Sequence, residues 1–575
     1  MLARNKRKYA VSVRCGICTL GILVAGSAMA ATITVNSAAD VAVSNDDLCT
    51  LREAINSANT NIASGGVAGE CAAGQSPPTL DTIAFSVSGT ISPASPMPQI
   101  TQIVKIDGYT VAGAHPNTLA VGNDAVLAIE INGTNVVGDL FTVAGAGSSG
   151  STLRGLVINR LAGSAISIVS SDTNTLSGNF FGTDTSGSIF QGTLGTPIQI
   201  RGVGNVIGGL NPGDRNVIVG GTSTILLVGP SGGSLIEGNY IGVNASGTAA
   251  LQPAVATTGI ELISCPNNTI GGTAAGAGNV IVGTALGIRV GAGGSSTNTL
   301  IQGNFIGTNA TGTAGLGGRG ISTDNGASNL TIGGAAAGAG NLISGGTTAI
   351  SLGDSSPPVT IQGNKIGTDV TGTHPIINAG DGISIAIAGT GSLIGGTGPG
   401  EGNTIAYNCG RGVWTTTHDW PILGNSIFSN GGLGITLTGT DTPTQNDAGD
   451  GDTGPNNLQN YPVITSAPIT SGIATISGTL NSVPNTAFRI EFFASDRCDP
   501  SGFGEGRNFI GFTPVTTDNN GNASFGPLPE PVSGPGVVLT ATATDPAGNT
   551  SEFSQCFGIP DHLFADGFEP TCPGS

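Results

Sequence analysis

The stretch GNFIGTNATG, Gly303 to Gly312, decides the fold because it is not alone. GNFFGTDTSG begins at Gly178, GNYIGVNASG at Gly238 and GNKIGTDVTG at Gly363, so successive copies start 60, 65 and 60 residues apart. A second phrase runs out of phase with the first. It reads IGGLNPGDRN from Ile207, IGGTAAGAGN from Ile270, IGGAAAGAGN from Ile332 and IGGTGPGEGN from Ile394, with steps of 63, 62 and 62. Self-similarity on this scale marks a solenoid or a propeller.

Working outward, short apolar alternations split each repeat into two turns. Ile383-Ser384-Ile385 and Leu300-Ile301-Gln302 are typical, and Gly, Asn, Thr and Ser corners separate them. Their period is two, which makes them strands. Strands of three to five residues bury no face alone, but each can stack on its counterpart one turn away and build parallel sheets with inward Ile, Leu and Val ladders. The expected fold is all-β, a right-handed parallel β-helix. The 97 glycines suit a chain that turns a corner every few residues, and 4% aromatic content suits a thin rod with an aliphatic interior.

Both ends depart from the repeat. Arg4, Lys6, Arg7 and Lys8, an apolar stretch from Cys15 to Gly26, and Ala28-Met29-Ala30 form a secretory signal peptide over 1–30, with cleavage near Ala30. No later run is long and apolar enough to predict a membrane helix. Residues 31–79 read as an N-terminal cap. There Thr50 and Glu53 make a capping box, and Leu51, Ala54, Ile55 and Ala58 mark one face of a short helix. On such a helix Arg52 and Glu53 read as surface charge and cap before they read as catalysts. The β-helix is expected over 80–440, an acidic linker over 441–460, an immunoglobulin-like sandwich of seven short strands over 461–557 and a tail over 558–575.

CTLREAIN from Cys49, TLDTIAFSVSGTIS from Thr79, KIDGYTVAGAHPNTLAVGNDAVLAIEINGT from Lys105 and the GNxIGT copies together resemble the bacterial CSLREA-type right-handed parallel β-helix proteins, with Thr50 in place of the Ser of that name. The resemblance spans roughly 31 to 560. It implies an exported, pectate-lyase-like β-helix and no particular activity. LFADGFEP, Leu563 to Pro570, resembles a C-terminal phrase of exported proteins of Gram-negative bacteria.

Charge limits the partners. Residues 1–30 hold five of the 18 Lys and Arg and none of the 36 Asp and Glu, so the mature chain carries 13 − 36 = −23. Such a surface repels nucleic acid, and it disfavours an anionic polysaccharide unless calcium bridges the two. Polysaccharide or cell-surface components remain the expected partners. In an exported chain Cys49 pairs with Cys71 and Cys498 with Cys556, while Cys265 and Cys409 read as buried small hydrophobes and Cys572 is left over.

Catalytic signals are sparse, and no catalytic residue is assigned. Between Ala165 and Gly410 the basic residues are Arg201, Arg215, Arg289, Arg319 and Lys365, none followed by a recurring acidic partner. Asp324, Asp354 and Asp381 fall in successive turns as groove residues or as turn formers. In CGRGVWTTTHDWP the two tryptophans of the chain stand near polar groups, which makes Trp414, His418, Asp419 and Trp420 the ligand-site candidates; burial under the last turn is the competing reading. Asp447, Asp450, Asp452 and Asn456 offer oxygens for calcium, with a solvated hinge as the alternative. This stretch is no EF-hand, since Gly454 takes the fifth position from Asp450 and Tyr461 the twelfth. The leading expectation is an exported structural, adhesive or carbohydrate-binding rod. A polysaccharide lyase or glycoside hydrolase acting in a groove is the other.

Overall fold

The computed structural model describes residues 30–192, 195–251, 257–353, 357–532, 537–558 and 572. The signal segment before Ala30, Asp354 and the phrase Leu563 to Pro570 lie outside the described residues.

Among the described residues, three parallel sheets of thirteen, twelve and eleven strands run side by side. The chain visits them in turn, one strand per sheet per coil, which makes a parallel β-helix. Twelve steps of strand spacing along the first sheet give a rod about 58 Å long. The isoleucines of the repeated phrases explain the stacking. On the first sheet Ile207, Ile236, Ile270, Ile301, Ile332, Ile361, Ile394 and Ile422 lie in register, one per coil. All are 0–3% exposed, and each is worth about 1.5–3 kcal/mol of burial.

The two phrases are one corner seen on alternate coils. Both contain the asparagine that turns the chain from the first sheet to the second, second in one phrase and last in the other: Asn179, Asn216, Asn239, Asn279, Asn304, Asn341, Asn364 and Asn403, with Asn425 closing the row. Each of the first eight donates from Nδ2 to the Oδ1 of the next at 2.9–3.2 Å. All nine are buried. Asn304 shows why the residue must be an amide: its Oδ1 takes the backbone N–H and the Nδ2 of Asn279, while its own Nδ2 also reaches the Ile270 carbonyl. A buried polar column is tolerated only when satisfied in this way. The sixty-residue period arises because a long loop precedes the asparagine in one coil and follows the second-sheet strand in the next.

Those second loops fold back over the outer face of the second sheet. Val157, Phe180, Val217, Tyr240, Val280 and the loop residues Val243, Ala245 and Ala310 form a satellite apolar cluster.

At the start, Thr32–Val35 pairs in parallel with Asp81–Phe85 and is the first strand of the first sheet. The helix Leu51–Thr60 carries the capping box expected of Thr50 and Glu53, and its Leu51, Ala54, Ile55 and Ala58 join the core of the rod. Arg52 is structural: it clamps Asp40 from Nε and Nη2 and donates to the Ser95 and Pro96 carbonyls.

Beyond the rod lie two small antiparallel sheets of four and three strands between Val463 and Thr544, sharing one apolar core. The expected strand SEFSQC, 551–556, does not form; among the described residues it makes one isolated bridge, Gln555 to Phe503. The end of the 441–460 stretch is packed, with Asn456, Gln459 and Asn460 each at most 3% exposed, while Asp441 and residues 445–448 are exposed.

This module seals the rod with one buried glutamate per sheet. Glu491 accepts from Gly424 N at 2.9 Å behind the last strand of the first sheet. Glu505 accepts from Asn430 behind the second, and Glu552 from Leu437 N at 2.9 Å behind the third. The last coil has N–H groups that a further coil would have satisfied, and the carboxylates satisfy them instead. Phe493 and Phe553 of the module belong to the apolar core of the rod.

Cys49–Cys71 and Cys498–Cys556 are disulfides, and Cys265 is free and buried. Cys409 departs from expectation, since it is bonded to Cys572 across 163 residues. Sequence separation hid that pair. The solenoid ends near the C-terminal module, so a cysteine of a late coil and one near the chain end come together.

Candidate functional site

On the third sheet, residues between two inward side chains point outward, and the parallel register lines them up. Glu261 pairs with Arg289, Arg289 with Ser322, Ser322 with Ser351, Ser351 with Ser384 and Ser384 with Trp414. All six are partly exposed. From Arg289 to Trp414 is four coil steps, or about 19 Å.

One end of this row is ionic. Arg289 Nη1 lies 3.1 Å from Glu261 Oε1, and its Nε lies 2.5 Å from Asp324 Oδ2. Ser223 donates to the other oxygen of Glu261. Burial works against the guanidinium charge, but the bonds and charges of Asp324 and Glu261 outweigh it and hold the Arg289 pKa above its usual value. Arg289 thus has two acidic partners, which the absence of a recurring acidic partner in the sequence did not reveal. They stand 28 residues before it and 35 after it, one coil away on either side. The coil spacing itself was the signal that could have paired them.

The other end is aromatic. The Arg411 guanidinium lies 5.2 Å from the centre of the Trp414 ring, also bonds the Gly439 carbonyl and sits 3.4 Å from Asp441. Asp381 accepts from Arg411 N at 2.9 Å, so it organises this corner.

The constellation Trp414, His418, Asp419 and Trp420 is divided. Trp420 is 0% exposed and donates from Nε1 to the Ile387 carbonyl at 2.7 Å. It plugs the rod, so no paired tryptophan platform forms. His418 Nδ1 lies 3.0 Å from Asp419 Oδ2, and the Asp419 backbone N–H donates to Asn549 of the terminal module. Trp414 alone remains on the outward row.

At the junction, Asp447, Asp450 and Asp452 bring carboxylate oxygens within 4.8 Å of one another. Burial first, and then the charges of Asp452 and Asp447, push the Asp450 carboxyl up to about 6 against hydrogen bonds from Ser482 and Asn460 N. One oxygen of Asp452 is buried without a hydrogen-bond partner. A hard cation bound by oxygen ligands fits these three residues. Asn456 is not with them: its Oδ1 accepts from Trp420 N, and its Nδ2 donates to the Trp420 and Thr550 carbonyls. A second acidic group, Asp46, Glu53 and Glu70, surrounds the start of the helix, where Glu53 is occupied by the capping box.

The fold defines the class, an all-β protein built on a parallel β-helix whose open end is sealed by antiparallel sheets. No protein-family model and no curated protein matches the chain. Among solved structures it is similar to the A-module of the mannuronan C-5 epimerase AlgE4 of Azotobacter vinelandii, with 13% identity over 64% of this chain and 91% of that one and a TM-score of 0.31. It is also similar to tailspike protein 2 of the Escherichia coli O157:H7 bacteriophage CAB120, with 12% identity over 85% of this chain and 66% of that one and a TM-score of 0.18. The fold assignment rests on the strand register of this chain, not on these likenesses. No helix among the described residues is long and apolar enough to cross a membrane.

Proposed function

We propose that the chain is an exported bacterial β-helix of the CSLREA type, right-handed, that serves as a structural, adhesive or carbohydrate-binding rod, with an immunoglobulin-like module at its C-terminal end. The observation that carries the carbohydrate reading is the outward row of the third sheet, three serines in register between the Arg289 ion cluster and the Trp414 ring. Hydroxyls with an aromatic face offer what a sugar chain uses, hydrogen bonds at its rim and stacking on its ring. Three disulfides support an oxidising, extracellular setting, and the net charge of −18 disfavours nucleic acid as a partner. We further propose a calcium ion at Asp447, Asp450 and Asp452. The immunoglobulin-like reading is supported by the two antiparallel sheets and their joint core.

A second reading, a polysaccharide lyase or hydrolase, is favoured only by Arg289 between two carboxylates. The mature protein incubated with a polysaccharide panel separates the two. Retention without new reducing ends or unsaturated products, weakened at least tenfold by Trp414→Ala, supports the binding rod. Turnover that disappears with Arg289→Ala supports the enzyme and overturns the first reading.

A further inference from the structure

The loops that leave the second sheet in alternate coils share one build. Asp184, Asn244, Asn309 and Asp369 each turn a side-chain oxygen onto the backbone N–H groups four and five residues on. The loops are also stacked on one another. Ala245 N bonds Gly187 O at 2.9 Å, Ala310 N bonds Gly247 O at 2.8 Å and Val370 N bonds Gly312 O at 2.9 Å. They therefore form a column over the outer face of the second sheet.

Each loop carries Ser or Thr on both sides of a glycine, and that glycine has φ of 65–82°. A left-handed residue there brings the flanking side chains to the same side. Ser246 and Thr248 meet through their hydroxyls at 2.7 Å, Thr311 and Thr313 at 2.7 Å, and Thr371 and Thr373 at 2.6 Å. Ser186 and Ser188 hold the same positions in the first loop, and all these side chains are exposed. Segments 185–190, 245–250, 310–315 and 370–375 contain no Asp, Glu, Lys or Arg, in a chain of net charge −18. Ile189 and Val370 add exposed apolar surface beside the hydroxyls.

Successive rungs are two coils apart, a step of about 9.6 Å. That is close to the length of two pyranose units in an extended β-1,4-linked chain, where every second sugar turns the same edge to one side. We propose that this ladder of hydroxyl pairs binds an extended, uncharged β-1,4-linked polysaccharide lying along the rod. The three hydroxyl pairs offer acceptor lone pairs to ring hydroxyls, with Ser246 and Thr371 already donating to Asn244 and Asp369, so the same ring hydroxyls are met at three successive rungs. Weak contacts at linked rungs combine through effective concentration. The inference rests on the carbohydrate-binding reading but assigns it a different face from the row that ends at Trp414.

The test is calorimetric titration of the full mature chain with cello- and chito-oligosaccharides of two and six sugars, with maltohexaose and oligogalacturonate as comparisons. Hexamers of the β-1,4 series are expected to bind at least tenfold more tightly than dimers. Thr311→Val, Thr313→Val, Thr371→Val and Thr373→Val combined should remove that gain. The pair Ser246→Ala and Thr248→Val should weaken binding in part, and circular dichroism verifies that both variants fold. Equal affinity for two and six sugars, or equal affinity for maltohexaose, overturns the ladder. Binding lost only with Trp414→Ala overturns the ladder and leaves the carbohydrate reading standing. No sugar binding at all overturns both, and binding to ice, read as thermal hysteresis, overturns the polysaccharide as partner.

Discussion

Asn430 donates to Glu505 from its backbone N–H and from its Nδ2, the latter at 2.7 Å, as Asn408 does to the Oδ1 of Asn430. The glutamate of the terminal module occupies the place that the next asparagine of the column would hold. The column Asn378, Asn408, Asn430 thus ends in a carboxylate rather than in water. Glu505→Ala should cost about 1–3 kcal/mol, because buried donors lose their acceptor. Glu505→Gln should cost less, since its carbonyl oxygen can still accept both. Urea unfolding of the two variants beside wild type tests the order.

Within the long column, Asn304→Ala orphans the N–H groups that Asn279 aims at Asn304 Oδ1 and removes one of the two donors to Asn341 Oδ1. A loss of about 2 kcal/mol or more is expected, together with faster hydrogen exchange in the coils that flank it. Uniform exchange along the rod would contradict the nearest-neighbour picture.

The seal should be pH-sensitive. Burial, against the hydrogen bonds each accepts, raises the pKa of Glu491 and of Glu552 above the unfolded value of 4.5. The folded chain then binds more protons than the unfolded chain between 4.5 and the raised values. Their contribution to stability is fully present below 4.5 and is lost as pH rises through the folded pKa. The melting temperature should therefore rise as pH is lowered through the raised values toward 4.5, and Glu552→Leu should flatten that slope. A slope of the opposite sign, or one unchanged in the variant, refutes it.

Calcium should raise the melting temperature, because an ion that binds only the folded chain stabilises it. Magnesium at equal concentration should do less, since the oxygens near Asp447 suit the larger, more flexible coordination sphere. Asp450→Ala with Asp452→Ala should abolish the shift. Absence of both a shift and calorimetric binding in wild type would leave the aspartates as an ordinary surface turn.

Peptide mapping without reduction should return Cys49 with Cys71, Cys498 with Cys556 and Cys409 with Cys572. Cys265 is 0% exposed, and burial pushes its thiol up to about 11. It should resist alkylation until the chain is denatured.

The sequence by itself determined the parallel β-helix, because the fold is written in local periodicity: one isoleucine per strand, one corner asparagine per coil, one glycine wherever φ turns positive. The capping box of Thr50 and Glu53 was legible for the same reason, since four consecutive residues contain the whole motif. Only the tertiary structure decided that Arg289 sits between Glu261 and Asp324, that Trp420 is a plug while Trp414 faces outward, and that Cys409 reaches Cys572. Each of these depends on which coil lies beside which, and a solenoid places residues roughly thirty positions apart in direct contact. The seal at Glu491, Glu505 and Glu552 is more remote still, as 67, 75 and 115 residues separate the glutamates from the N–H groups they accept. A buried carboxylate has no sequence signature, because its meaning comes from the unsatisfied edge it meets.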